Sequence, residues 1–371
     1  MTMKVLFVTH ENPQRIVGGL GTFVQSFVGC LKSWAEVRVL LIRYDATDEV
    51  APGGLVDYVV DASYTFPACT QEAQVVDTAY CLSWKIDPIL REFSPDVIHC
   101  NDRQTYLPFK HLRNVVFSLH LSVPDLMGPA LWDQPMLTEA KIERTALQWA
   151  GATVVYSRFM AGRVRKMLGS GGNLCCLPLG TDQGFKPREN QPDNKKIVIS
   201  FFGRLEDRQK GVREFVAAVG LLDAGFIENH GLEFRIYGRG EPWDWSPLPV
   251  KYCGFVEGED RRKAFEEADI VVFPSRYEPF GLVGLEALAA NALLLAPCGQ
   301  GMDEYFSPGA NGVAILPEAE DIAKKLESVV GNWPFYSRLR LSSAASVARY
   351  TWTNSVQAHL QVYRQVAGLV S

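Results

Sequence analysis

The feature that most restricts how this chain can fold is a series of short apolar runs with no polar alternation, such as Val5-Leu6-Phe7-Val8 and Ile270-Val271-Val272-Phe273. A strand with one wet face alternates apolar and polar residues. A strand covered on both faces, as in a parallel sheet between helices, does not. These runs predict strands at Lys4–Thr9, Val37–Arg43, Val56–Val60, Asp96–His99, Val115–His120, Thr153–Tyr156 and Leu174–Leu177. A second set is predicted at Ile197–Phe202, Glu233–Tyr237, Lys251–Cys253, Ile270–Phe273, Leu293–Ala296 and Val313–Leu316. Stretches of helical period separate them, which implies βαβ units and a doubly wound α/β architecture.

At 371 residues and 41.3 kDa the chain exceeds one ordinary core and suits two domains. The segment from Asp182 to Lys196 is polar, holds two prolines and lacks periodicity, so it reads as a linker. The expected layout is two Rossmann-like parallel-sheet domains facing a central cleft, residues 1–182 and 197–351, joined by residues 183–196. In such sheets ligands bind beyond the carboxyl ends of the strands. Lys and Arg total 37 against 42 Asp and Glu, a net charge of −5, which lacks the basic excess of a nucleic-acid binder. The eight cysteines form no C-x-x-C pair and the six histidines are scattered, so no metal site is expected. No apolar run reaches the ~20 residues needed to span a bilayer. Met1-Thr2-Met3-Lys4 runs straight into a strand without signal-peptide architecture, so the expected location is cytoplasmic.

Three loops look suited to anions. Gly18-Gly19-Leu20-Gly21-Thr22 leads into a helical pattern over Phe23–Trp34, and its backbone N–H groups can approach an anion; a flexible connection reads the same way. It is not a dinucleotide fingerprint, because neither its spacing nor its distance from the first strand fits G-x-G-x-x-G. Gly203-Arg204-Leu205 through Lys210-Gly211 follows a strand directly, and offers an Arg fork and a Lys point charge; a solvated charged loop is the plain alternative. The third segment, Pro274 to Ala289, ends a buried strand and starts a small-residue helix near Phe280. Its Glu278 and Glu286 stand beside a helix N-terminus, an odd place for two carboxylates unless they accept from hydroxyl donors such as those of a sugar.

Taken together these segments resemble glycosyltransferase family 4, retaining nucleotide-sugar enzymes of the two-domain GT-B fold. The E-x7-E element appears as Glu278…Glu286, and the G-R-L…K-G element as Gly203-Arg204-Leu205…Lys210-Gly211. Weaker marks are Asp96 to Asp102, Ser118-Leu119-His120, Leu177 to Asp182, Gly254-Phe255-Val256 and the Trp352 helix. The resemblance implies that Arg204 and Lys210 grip a donor diphosphate, with Gly203 at the turn, and that Glu286 binds ribose hydroxyls. It implies that Glu278 holds the donor sugar, and that the backbone around Phe280, Gly281 and Leu282 meets sugar or phosphate oxygens. Gly19 and Gly21 would close over the phosphate, His120 would lie near the reacting carbon, and Phe255 and Val256 would flank the base. His120, Glu278, Arg204 and Lys210 are thus the expected catalytic set.

By the same resemblance, residues 352–371 pack back on the N-terminal domain, which takes the acceptor, and UDP is the first expectation for the nucleotide. No D-x-D element is present, so neither a metal nor another cofactor is expected. Ile16 stands where glycogen and starch synthases carry a lysine, which argues against glucan elongation. The acceptor is a hydroxyl of a small molecule, glycan or lipid-linked sugar; Tyr64, Phe66, Tyr80, Trp84 and Trp132 are aromatic candidates to stack on it. Two alternatives stay open. One is a non-catalytic nucleotide-sugar-binding protein; the other is a membrane-surface glycolipid enzyme using the basic amphipathic segment from Arg158 to Leu168.

Overall fold

A computed structural model describes residues 2–16, 18–43, 52–62, 71–126, 134–169, 172–182, 184–186 and 196–369. Most of the expected linker falls outside these residues, as do Tyr64, Phe66, Trp132 and the side chain of Tyr80. Two compact units divide the chain: residues 1–180 with 352–371, and residues 181–351.

The first unit contains β1 (Lys4–Thr9), β2 (Glu36–Arg43), β3 (Tyr58–Asp61), β4 (Val97–Cys100), β5 (Val115–Ser118), β6 (Ala152–Val155) and β7 (Leu174–Cys176). They form one sheet in the order β3-β2-β1-β4-β5-β6-β7, with every pairing parallel. Val5 to Val8 are completely buried, as the continuous apolar run requires of a central strand covered on both faces. The third strand starts two residues later than its apolar run, because Val56 closes a local bridge with Gly53 and pairing to β2 begins at Tyr58.

Helix Gly19–Leu31 buries Phe23, Val24, Phe27, Val28 and Leu31, a three-and-four spacing that lays one stripe on the sheet. It begins four residues before the expected Phe23 and stops short of Trp34, which is half exposed. Helix Trp352–Val366 belongs to this unit and buries Trp352, Val356, His359, Leu360, Val362 and Tyr363. Trp352 meets Phe23 at 6.0 Å between ring centroids and His359 meets Phe27 at 4.6 Å. Helix Arg158–Leu168 turns Met160, Ala161 and Val164 into the core, while Arg163 lies over Phe159 and pairs with Asp125 at 3.4 Å. No helix among the described residues is long and apolar enough to cross a membrane.

The second unit contains β8 (Ile197–Phe202), β9 (Leu232–Tyr237), β10 (Val250–Gly254), β11 (Ile270–Val272), β12 (Leu293–Ala296) and β13 (Gly312–Ala314). Their order is β10-β9-β8-β11-β12-β13, again all parallel. The last strand is shorter than its apolar run because Leu316 emerges, 57% exposed. Strand order reverses between β1 and β4 in one sheet and between β8 and β11 in the other. In open parallel sheets such a reversal, at the carboxyl ends of the strands, is where ligands bind.

A chain of buried polar rings ties helix Trp352–Val366 to the first sheet. His99 on β4 bonds the Tyr363 hydroxyl through Nδ1 and the Ser118 hydroxyl through Nε2 at 2.7 Å, and Ser118 meets the Tyr156 hydroxyl at 2.8 Å. His359 donates from Nδ1 to the Ser355 carbonyl at 2.7 Å. Burial pushes the His99 imidazole well below its usual range and His359 down to about 4, so both are neutral in the folded unit.

An unfolded histidine protonates near 6.5, so between about pH 4 and 6.5 the unfolded chain binds more protons and stability falls as pH falls. One such group contributes about 1.4 kcal/mol per pH unit. The unfolding midpoint is therefore expected to drop from pH 7.5 to 5, with a shallower slope in His359→Phe. Identical slopes for the two proteins would refute this origin.

Candidate active site

In the second unit the loops leaving β8, β9 and β10 are laced by their backbones. Gly203 N–H donates to Tyr237 O at 2.9 Å, Leu205 N–H to Arg239 O at 2.8 Å, and Gly238 N–H to Gly254 O at 2.9 Å. A Cβ on Gly238 would fall on the Gly203 carbonyl, so only glycine permits this approach. The Tyr252 hydroxyl is shared between the carbonyls of Gly238 and Gly240, at 2.8 and 3.0 Å. Phe255 and Val256 lie half-buried on the third loop, and the Arg239 guanidinium covers the Phe255 ring at 4.1 Å.

The loop after β8 closes in a single turn, Arg208–Lys210, capped by Asp207, whose carboxylate accepts from Gln209 N–H at 3.0 Å. The other Asp207 oxygen accepts from Arg204 at 3.1 Å, and Arg204 keeps 53% of its side chain exposed. Across the strand-order reversal, the loop after β11 is sewn to this turn: Arg276 N–H donates to Gln209 O at 2.8 Å and the Ser275 hydroxyl to the same carbonyl at 3.3 Å. Lys210 Nζ then donates to Glu278 Oε2 at 2.7 Å. Glu278 is buried, and the Ser275 hydroxyl, whose one proton is shared among the Gln209 and Tyr277 carbonyls and this carboxylate, lies 3.4 Å from the same Oε2. Both partners fall on one oxygen, which leaves Oε1 as the acceptor without a hydrogen bond among the described residues.

The helix expected near Phe280 starts at Leu282 and runs to Ala289. Gly281 sits just ahead of it in the left-handed region at φ 87°, and its carbonyl accepts from the Tyr305 hydroxyl. That kink turns the Phe280 side chain into the core against Tyr305 and Tyr350, at 5.4 and 6.2 Å. Only the backbone of Phe280 therefore stays available to a ligand. The N–H groups of Leu282, Val283 and Gly284 lie in the first turn, where no helical carbonyl precedes them.

Glu286, one turn further on, is held by a partner that no motif contains. Arg261 of helix Gly258–Glu267 reaches both of its oxygens. Arg261-Arg262-Lys263 reads in sequence as a solvated helix face, and nothing there separates Arg261 from Arg262, which pairs with Glu259 and Glu266. The Gly299-Gln300-Gly301 loop buttresses Glu278: Gly301 N–H donates to the Glu278 carbonyl at 2.9 Å and Gln300 Nε2 to Ser275 O at 3.0 Å.

The first unit gathers a smaller polar group at its own reversal, between β1 and β4. β5 ends at Ser118, so His120 sits on the following loop rather than at the strand end. Its Nε2 bonds Asn101 Oδ1 at 2.9 Å, and its ring lies 4.7 Å from those of both Phe23 and Tyr156. Burial pushes it down to about 3, against an opposing pull from Asp102, so it is neutral. His10, after β1, approaches Asp102 at 3.8 Å. Gly19 opens the helix after β1 with open space around it, while a Cβ at Gly21 would meet a Glu11 carboxylate oxygen at 3.0 Å.

Glu143 carries no sequence signal either. It is buried, accepts from the Ser122 hydroxyl and Val123 N–H at 2.8 Å each, and so fastens the loop that carries His120; burial raises it to about 7. Trp84 is 70% exposed. Among the described residues no three His, Cys, Asp or Glu side chains converge as a metal site.

The chain and its fold are similar to those of known proteins. A sequence profile described as Glycosyltransferase Family 4 matches residues 17–184, and one described as Glycosyl transferases group 1 matches residues 196–332. The chain belongs to glycosyltransferase family 4 and has the GT-B fold. It is 26% identical to an uncharacterized glycosyltransferase of Methanocaldococcus jannaschii, in an alignment that covers 98% of each chain. Among solved structures, sucrose-phosphate synthase from Thermosynechococcus elongatus matches with a TM-score of 0.79 and 19% identity, over 99% of this chain and 100% of that one. Anabaena HepE, crystallised with UDP and glucose, matches with a TM-score of 0.71 and 16% identity over the same shares.

Lys210→Met strips Glu278 of its cation while leaving the carboxylate buried. A hydrogen bond to a charged group is worth about 1.5–3 kcal/mol, so denaturant unfolding should show a loss of that size. Lys210→Met with Glu278→Gln should recover part of it. Equal losses in the single and double variants would remove the pair from any structural role.

Proposed function

We propose that this glycosyltransferase moves a hexosyl unit from a nucleotide-diphosphate sugar, with UDP as the favoured nucleotide, to an acceptor hydroxyl with retention at the anomeric carbon and without a metal. The observation that carries this reading is the meeting of Lys210 and Glu278 across the β8–β11 reversal. Lysine has three donors and Glu278 takes one, so Lys210 keeps two for a diphosphate. Arg204, half exposed and held through a single bond to Asp207, supplies a fork beside it. The first turn of helix Leu282–Ala289 adds neutral donors. Glu278 Oε1 accepts from sugar hydroxyls.

As the bond from the anomeric carbon to phosphate oxygen breaks, negative charge grows on the departing diphosphate. Fixed cations and N–H groups stabilise that charge more than they stabilise the intact donor, which accelerates the step. The acceptor oxygen forms the new bond from the side the diphosphate leaves, and its proton passes to a phosphate oxygen. The first unit's His10, Asn101, Asp102 and His120 are assigned to the acceptor side, where neutral His120 exchanges hydrogen bonds with a hydroxyl. UDP is favoured because HepE, of like fold, was crystallised with it.

Thermal-shift screening against nucleotide sugars identifies the donor, since binding to the folded state raises the melting temperature. Transfer and hydrolysis assays with that donor then separate an enzyme from a binding protein. Arg204→Ala and Lys210→Ala are each expected to lower kcat by about 10²–10³-fold, with smaller changes in KM. EDTA should leave turnover intact. Activity lost to chelator and restored by a divalent ion would overturn the metal-free assignment, and donor binding without turnover would favour the binding-protein reading.

A further inference from the structure

The Arg261–Glu286 pair is a two-point contact. Arg261 Nε donates to Glu286 Oε1 at 2.9 Å and Nη2 donates to Oε2 at 2.5 Å, with side-chain exposures of 24% and 12%. The guanidinium lies over the Phe265 ring at 5.2 Å. Phe265 is stacked on Phe202 of β8 at 4.0 Å, and Phe202 on Tyr237 of β9 at 4.8 Å. The fork thus rests on an aromatic column rooted in the sheet, and it presents a fixed plane to the carboxylate.

An ionised carboxylate has about four acceptor sites, two on each oxygen. The fork occupies one on each and leaves one on each. Two matched acceptors on one carboxylate suit two donors on adjacent carbons, as in the vicinal diol of a ribose. A single hydrogen bond to Glu286 would leave it free to rotate about its terminal bond, with the two remaining sites turning away from such a diol.

We propose that Arg261 is a positioning residue that orients Glu286 to accept from both ribose hydroxyls, so that selection of ribonucleotides over deoxyribonucleotides depends on the pair. This rests on the donor reading above, in which the second unit binds a nucleoside diphosphate. Arg261 touches no substrate itself. Lysine at this position keeps the charge but reaches one oxygen at a time, and so separates orientation from neutralisation.

The test uses the full chain and calorimetric affinities for UDP, ADP and GDP, each beside its 2′-deoxy form. The wild type is expected to prefer the ribonucleotide by at least about tenfold, the scale of one hydrogen bond to a charged group. Arg261→Lys and Arg261→Met are expected to shrink that preference to within about threefold, almost wholly through weaker ribonucleotide binding. Glu286→Gln should show the same loss, and Arg261→Met with Glu286→Gln should be no worse than Glu286→Gln alone. Arg261→Lys, which retains the charge, carries the comparison if Arg261→Met fails to fold.

Variants that keep the wild-type preference overturn the proposal. So do variants that lose both nucleotide forms equally, which marks a merely structural role, and so does tighter ribonucleotide binding in Arg261→Met, which marks competition. If the wild type binds none of the three diphosphates, the donor reading itself fails and this inference with it.

Discussion

The second unit depends on backbones that approach one another more closely than side chains allow. The loop after β9 lies on the loop after β8 because Gly238 has no Cβ to strike the Gly203 carbonyl, and the loop after β12 lies on the Glu278 loop because Gly301 has none to strike Pro279. These contacts are what bring Lys210, Glu278 and the first turn of helix Leu282–Ala289 to one end of one sheet. A single methyl at either place would push apart groups whose use requires hydrogen-bond distances. Stiff placement of this kind also lets charges stabilise a transition state without first reorganising.

Charges in this site are paired before any ligand arrives. Arg204 has Asp207, Lys210 has Glu278 and Arg261 has Glu286. Half-buried ions need such partners, since an unpaired buried charge is far more costly than the pair. Pairing need not disable them: a lysine with one acceptor, or a carboxylate with both hydrogen bonds on one oxygen, still has capacity for a ligand. The first unit follows the opposite rule. His99, His120 and His359 are held neutral by burial, and they work through hydrogen bonds and ring packing. The two units thus carry different electrostatics, paired charges in the second and neutral rings in the first.

Much of the fold was legible because burial on both faces leaves a local trace. All thirteen strands of the described structure overlap an apolar run; β1, β8 and β12 coincide with it, and the others differ by one or two residues at an end. Those ends are set by pairing, as at Tyr58, or by emergence into solvent, as at Leu316, and neither is encoded in a short window. Helix starts were less legible. Glycines in the first turn hid the beginning of helix Gly19–Leu31, and the left-handed Gly281 delayed the helix that the apolar pattern began at Phe280. Phe280 shows the difference plainly: the motif named it, while the kink beside it turned its ring into the core.

The sequence by itself determined the architecture and the types of group at each strand end, because hydrophobic period and loop chemistry are local properties. It brought Arg204, Lys210, Glu278 and Glu286 into view as residues of one kind of chemistry. Partnership was decided only by tertiary structure. That Lys210 meets Glu278 across the reversal, that Arg261 rather than Arg262 grips Glu286, and that Glu143 fastens the loop bearing His120 all depend on where distant strands and helices come to rest. Hydrogen bonds and ion pairs form over about 3 Å, a scale that chain spacing cannot specify once dozens of residues intervene.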